Sequence, residues 1–190
     1  LTEILKPVKI VCLDIGQLER YNKDGISFGR KMMFNIGDKV VYPMHGAGVI
    51  EDIEEREISG EKLRYYIIKL PMGEMKAMVP MNKVKEVGLR QVIEEDDVLK
   101  VFEVLKGESS NMPLNWNHRY RANLEKIKSG SIFEVAEVVR NLSTRDRQKG
   151  LSTGEKKMLE NARRILLSEL VLAKNVAENN MVEILEGYLS

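Results

Sequence analysis

The chain has almost none of the chemistry that builds metal or redox sites. Its one cysteine, Cys12, cannot form an internal disulfide. Its two histidines, His45 and His118, stand far apart with no second ligand at a zinc spacing, so no metal or cofactor is expected. The HGAG segment at 45–48 lacks the Lys-Ser/Thr of a phosphate-cradling loop and the G-x-G-x-x-G spacing. No Ser/His/Asp or Cys/His set can be assembled, so an enzyme is not expected. No apolar run is long enough to span a membrane. The N-terminus lacks the basic head, apolar stretch and small-residue cleavage site of a secretion signal, which leaves the cytoplasm as the expected location. The net charge is only +1, so any electrostatic footprint has to be local.

What the sequence does contain divides into three parts. Residues 1–32 are short and mixed, with Pro7, Gly16, Gly25 and Gly29 spread through them. The run KIVCLDI could form one isolated strand, and no neighbouring segment is an evident partner. Two readings stand side by side for this part: a translated leader ahead of a true start at Met32 or Met33, or a flexible arm. Either way it is expected to lie outside the fold. Residues 33–88 read as all-β. Short runs rich in β-branched and aromatic residues (KVVY, then Val49–Ile58, LRYYIIKL and MKAMVPMNKV) are separated by Gly/Pro turns at Ser59-Gly60 and Pro71–Glu74. This spacing predicts a small, strongly bent barrel, with an exposed edge near Met75–Pro80, where Pro80 cannot donate to a ladder.

Residues 89–190 read as all-α. Asp96-Asp97 lead into an apolar-periodic run, and Trp116, Tyr120, Leu124 and Ile127 fall at helical spacing. Ser131–Glu134 and Ser152–Glu155 each have the form of a capping box. The longest helix carries Met158, Leu159, Ala162, Ile165, Leu166, Glu169 and Leu170 on one broad face. A last short helix is expected at 180–189. The period changes from 2 to 3.6 near Gly88, so the expected architecture is two-domain α+β.

One segment stands out. In PLNWNHRYRANLEKIKSG the sole tryptophan, Trp116, lies between two asparagines and is followed by His118, Arg119 and Arg121. From Trp116 to Arg164 twelve Lys/Arg face six Asp/Glu, a surplus of six, while Glu51–Glu57 and Glu94–Asp97 are acidic. A basic module beside an acidic one suggests a polyanion partner for one of them. Charge alone does not decide this, because exposed helix faces are ordinarily Lys/Arg/Glu-rich. Trp116 is open to two readings as well. It is the first core residue of its helix, or an apolar wedge beside arginines that hold a phosphate backbone.

These motifs resemble a family. FNIGDKVVYPMHGAGVIEDIE followed by YYIIKLPMGEMKAMVPMNKV looks like the RNA-polymerase-interacting domain of the bacterial CarD/CdnL regulators, a domain shared with the transcription-repair coupling factor. VGLRQVI, NWNHRYRANLEKIKSGS, AEVVRNL and GLSTGEKKMLENARRILLSELVLA resemble that family's C-terminal helical domain. The resemblance runs from about Phe34 to about Ala177.

It implies a Tudor-like barrel that binds the polymerase β subunit, and a helical domain that contacts promoter DNA at the upstream edge of the melted bubble. Trp116 matches the family's minor-groove wedge, with Arg119 and Arg121 as the basic positions after it. Lys126 and Lys156, from the same basic stretch, are expected to join them. On the polymerase side the matching positions are Arg56, Met78 and Pro80. Some members carry a basic residue where this chain has Met78, and His118 stands where a basic residue is usual. A monomer with no membrane partner is expected. Two rival functions are a polymerase-tethered adaptor that recruits another protein, and an RNA-binding factor.

Overall fold

A computed structural model describes residues 10–11, 34–58, 61–71 and 75–189. The expected turn at Ser59-Gly60, most of that at Pro71–Glu74, and the reading of residues 1–32 as leader or arm fall outside the described residues, Ile10 and Val11 excepted. The strands are β1 (Ile10–Val11), β2 (Lys39–Tyr42), β3 (Gly46–Ile58), β4 (Glu61–Leu70), β5 (Met75–Pro80) and β6 (Arg90–Gln91). Five helices follow: α1 (Glu95–Lys106), α2 (Trp116–Lys128), α3 (Ile132–Lys149), α4 (Thr153–Lys174) and α5 (Glu178–Leu189). The fold is therefore α+β, an antiparallel sheet followed by a helical part. The chain separates into two units, one built on Val49–Val84 with the residues up to Asp38, the other on Lys39–Gly48 with Lys85 onward.

In the first unit β3, β4 and β5 form an antiparallel ladder, with Ile53 opposite Tyr66 and Tyr66 opposite Val79. The run Tyr65-Tyr66-Ile67-Ile68 shows no alternation because it is buried on both faces. The Tyr66 hydroxyl accepts the Phe34 backbone N–H at 3.0 Å, which ties the start of the domain to its central strand. The register of β3 shifts between Ile50 and Asp52, a bulge at Glu51 that bends the strand. The expected barrel is not seen to close, and the ladders among the described residues leave an open sheet. The expectation of a free edge at Met75–Pro80 also needs correction. β1 pairs in parallel with β5, Ile10 with Lys76 and Val11 with Ala77, so these two residues of the expected strand have a partner. Ala77, Met78 and Val79 are buried.

The second unit begins before the helices. β2 pairs with β6, Val41 opposite Arg90, a short strand in a stretch read as wholly helical. Its position follows from Arg90, whose guanidinium reaches both oxygens of Glu169 at 2.6 and 2.8 Å and the Gly130 carbonyl at 2.6 Å. The β2–β3 turn is fixed on α4. Ala47 N–H donates to Ser168 Oγ at 2.8 Å, and Gly46, at φ +100°, leaves no room for a Cβ, which would sit 2.6 Å from that oxygen. The helical core follows the expected stripes, with Val135, Val138, Val139 and Leu142 of α3 against Ala162, Ile165, Leu166 and Leu170 of α4. Ser131 occupies the N-cap of α3 without making its side-chain bond, so that predicted capping box is not formed. The one at Ser152–Glu155 is formed in full. No helix among the described residues is long and apolar enough to cross a membrane.

Candidate nucleic-acid interface

The site is assembled where α2 and α4 begin. Asn115 caps α2, its Oδ1 accepting the His118 N–H at 3.2 Å. Trp116 follows as the first helical residue and is 43% exposed, so it is not a core residue. Its ring stacks on Tyr120, with centroids 5.3 Å apart and planes 28° apart. Its indole Nε1–H donates to Ser152 Oγ at 2.9 Å. The nitrogen-side edge of the six-membered ring passes Gly154, where a Cβ would lie 3.6 Å from Cζ2. Leu114, two residues earlier, is 91% exposed.

Ser152 is the N-cap of α4, and all its hydrogen-bonding capacity is in use. The hydroxyl accepts from Trp116 Nε1 and from the Glu155 N–H at 3.3 Å, and donates to Glu155 Oε2 at 2.8 Å. Glu155 returns the bond by accepting the Ser152 backbone N–H at 3.1 Å. Its other oxygen, Oε1, accepts from Arg119 Nε at 2.7 Å, and both side chains are almost wholly buried, at 3% and 2%. Arg119 Nη1 donates to the carbonyls of Pro113 and Leu114 at 2.9 and 3.0 Å. Burial pushes the Glu155 carboxyl up, but the hydrogen bonds from Arg119 and Ser152 outweigh it and hold the group below its usual range.

These contacts refine the reading of α2. Of the stripe Trp116, Tyr120, Leu124 and Ile127 that the sequence suggested, Ile127 is buried, Tyr120 and Leu124 are partly buried and Trp116 is exposed, and the rest of the buried side is Arg119 and Asn123. A charged residue inside a helix reads as solvent-facing, and here it faces in because Glu155 is waiting for it. Arg119 was expected at the DNA and has no exposed guanidinium to offer. Lys126 is also engaged, 2.7 Å from Glu137 Oε2. Glu137 is held below its usual range first by Lys126 and then by Ser110. Arg121 and Lys156 are exposed and carry no ion pair among the described residues, and His118 is exposed as well. The ring thus stands at the N-termini of α2 and α4, whose partial positive charge favours an anion, with the exposed Leu114 just before it in the chain. Sequence reasoning saw Ser152 and Glu155 only as a helix start. No local signal marks the pairing of Arg119 with Glu155, which lies 36 residues away.

The sheet residues expected to meet the polymerase belong to the first unit. Arg56 is exposed and bonded to Glu54 at 2.7 Å. Met78 is 8% exposed and packs in a cluster with Tyr65 and Ile67, so it does not stand free as a contact. Pro80, opposite Tyr65, is partly buried at the end of β5.

Two family models match this chain. Residues 34–93 match the CarD-like/TRCF RID domain, and residues 100–186 match the CarD C-terminal domain. A Bacillus subtilis (strain 168) protein named "Putative transcription factor YdeB" is 42% identical over 149 residues, 78% of this chain and 97% of that protein. The chain belongs to the CarD family. It is a transcription regulator carrying an RNA-polymerase-interacting domain, in a family of transcription factors and not of enzymes.

Proposed function

We propose that this CarD-family protein docks on the polymerase β subunit through its sheet and uses Trp116 to stabilise the open promoter complex. The supporting observation is a half-exposed indole held by Ser152, with Arg121 exposed on the same helix and Lys156 exposed near the start of α4. A flat apolar group that is fixed in direction can enter a partly unstacked base step, and cations beside it meet the phosphates. Such a contact favours melted over closed DNA only by binding the two differently, and a ring that fits an opened step does so. The few free cations give weak, salt-dependent affinity for duplex alone, and attachment to polymerase raises the local concentration.

Docking by β addition at β5 involves Met78–Pro80, beyond the two positions that β1 covers, or displacement of Ile10–Val11. Deletion of residues 1–32 is therefore expected to leave polymerase binding intact or stronger. Cellular location in this reading is that of the polymerase. Crosslinking peptides around Trp116 to promoter DNA tests the reading. Crosslinks at the upstream bubble edge that require polymerase and fade with salt are the expected result. Crosslinks to a third protein would establish the adaptor reading, and crosslinks to transcript the RNA-binding one.

A further inference from the structure

We infer that Ser152, oriented by Glu155 and Arg119, is the positioning residue that sets the direction of the Trp116 ring, so that the capping box of α4 is also part of the DNA-facing device. This rests on the reading of Trp116 given above and extends it to residues that no DNA contact requires.

An exposed tryptophan at a helix start has two side-chain torsions to choose. Without a partner for its N–H it samples several rotamers, and ordering it on the DNA then costs entropy. Here the ring is restrained on two sides. Tyr120 lies against its face at 5.3 Å, and Ser152 Oγ takes its N–H at 2.9 Å. A serine hydroxyl normally rotates, and this one cannot do so freely. It has one proton, given to Glu155 Oε2, which leaves its lone pairs directed at Trp116 Nε1 and Glu155 N. Glu155 in turn cannot swing, because Arg119 holds Oε1 at 2.7 Å while gripping the Pro113 and Leu114 carbonyls just before Trp116. The chain of bonds therefore starts and ends on the segment that carries the indole. Arg119 fixes the backbone before the tryptophan, and Ser152 fixes its ring. A cap needed only for the helix would require no such closure.

The two roles of Ser152 can be separated by substitution. Glycine at an N-cap costs a helix little relative to serine, whereas alanine loses the cap, and threonine keeps both cap and hydroxyl. The full chain has a single tryptophan, so the near-ultraviolet dichroism and the fluorescence anisotropy of indole report on this residue alone. Ser152→Gly is expected to melt close to the parent, to lose much of the indole dichroism and anisotropy, and to shorten open-complex lifetime roughly three- to tenfold, the equivalent of one ordinary hydrogen bond. Ser152→Thr should restore all three. Trp116→Ala is measured alongside. If Trp116→Ala shortens the lifetime while Ser152→Gly leaves it unchanged, the positioning role is overturned and the wedge reading stands. If Ser152→Gly leaves the indole signals unchanged, the positioning role is likewise overturned. If Trp116→Ala itself has no effect on lifetime, the wedge reading falls.

Discussion

Charge is used differently in the two units of this molecule. On the sheet, Arg56–Glu54 and Lys76–Glu51 are surface pairs whose side chains are 38% to 45% exposed. In the helical unit, Arg119–Glu155 is buried at 3% and 2%, and Glu169, the partner of Arg90, at 1%. Exposed pairs are screened and lose side-chain entropy on forming, so they add little. A buried pair has already lost its water, so removing one partner strands the other. The lesson is that a basic segment is not a uniform surface. Between Trp116 and Arg164 some cations hold helices together and others face outward, and only the second kind is available to a polyanion.

The sharpest way to break the comparison is to delete one member of each kind of pair. Glu155→Ala should cost about 3–5 kcal/mol of stability in denaturant unfolding, whereas Arg56→Ala should stay within about 0.5 kcal/mol. The same buried pair can be titrated. Glu155 has a lowered carboxyl pKa in the folded state, so its contribution is complete above the unfolded value and is lost as pH falls through the folded one. Melting temperature followed downward from pH 5 should therefore drop below the ordinary Glu range near 4.5, and Glu155→Gln should flatten that part of the decline. A flat profile in the parent would mean that the pair is not formed in solution.

Next in size is Met78→Asp. A carboxylate set against Tyr65 and Ile67 should destabilise the sheet by roughly 2–4 kcal/mol, so lost polymerase binding in that variant would report lost folding. Met78→Leu keeps volume and should cost less than about 1.5 kcal/mol, which makes it the variant for testing contact. Trp116→Ala comes third. A fully buried tryptophan would cost about 3–5 kcal/mol, whereas a half-exposed ring with one stack and one hydrogen bond should cost about 1–2 kcal/mol. Smallest are Arg121→Ala and Lys156→Ala. Each should leave the melting temperature almost unchanged and reduce the slope of log affinity against log salt by about 0.9 for DNA bound with polymerase.

Much of the fold can be read in the sequence because hydrophobic period carries it. Tyr65–Ile68 announces a central strand, the stripes of α3 and α4 fall where the structure puts them, and Ser152–Glu155 marks the start of α4. The change from strand to helix near Gly88 is followed by one short strand, β6, whose existence depends on Arg90 finding Glu169 some eighty residues away. No local pattern encodes that meeting. The pairing of β1 with β5 is non-local in the same way.

The site was half legible. A lone tryptophan between asparagines is a visible anomaly, and Arg121 and Lys156 are exposed. Arg119 has the same composition signal as Arg121, and only the position of Glu155 on another helix separates them. Met78 presents the opposite difficulty. Its place on a strand near the sheet edge suggests access, yet its side chain faces Tyr65 and Ile67.

The central claim is that an outward, pre-aimed indole acts on melted promoter DNA. The most direct measurement is the dissociation half-life of the polymerase–promoter open complex, after challenge with a competitor, in the presence of saturating parent, Trp116→Ala or Arg121→Ala protein. The account predicts that Trp116→Ala, still bound to polymerase and still folded, returns the half-life nearly to its value without the protein, whereas Arg121→Ala shortens it modestly and in a salt-dependent way. A Trp116→Ala protein that prolongs the half-life as well as the parent would contradict it.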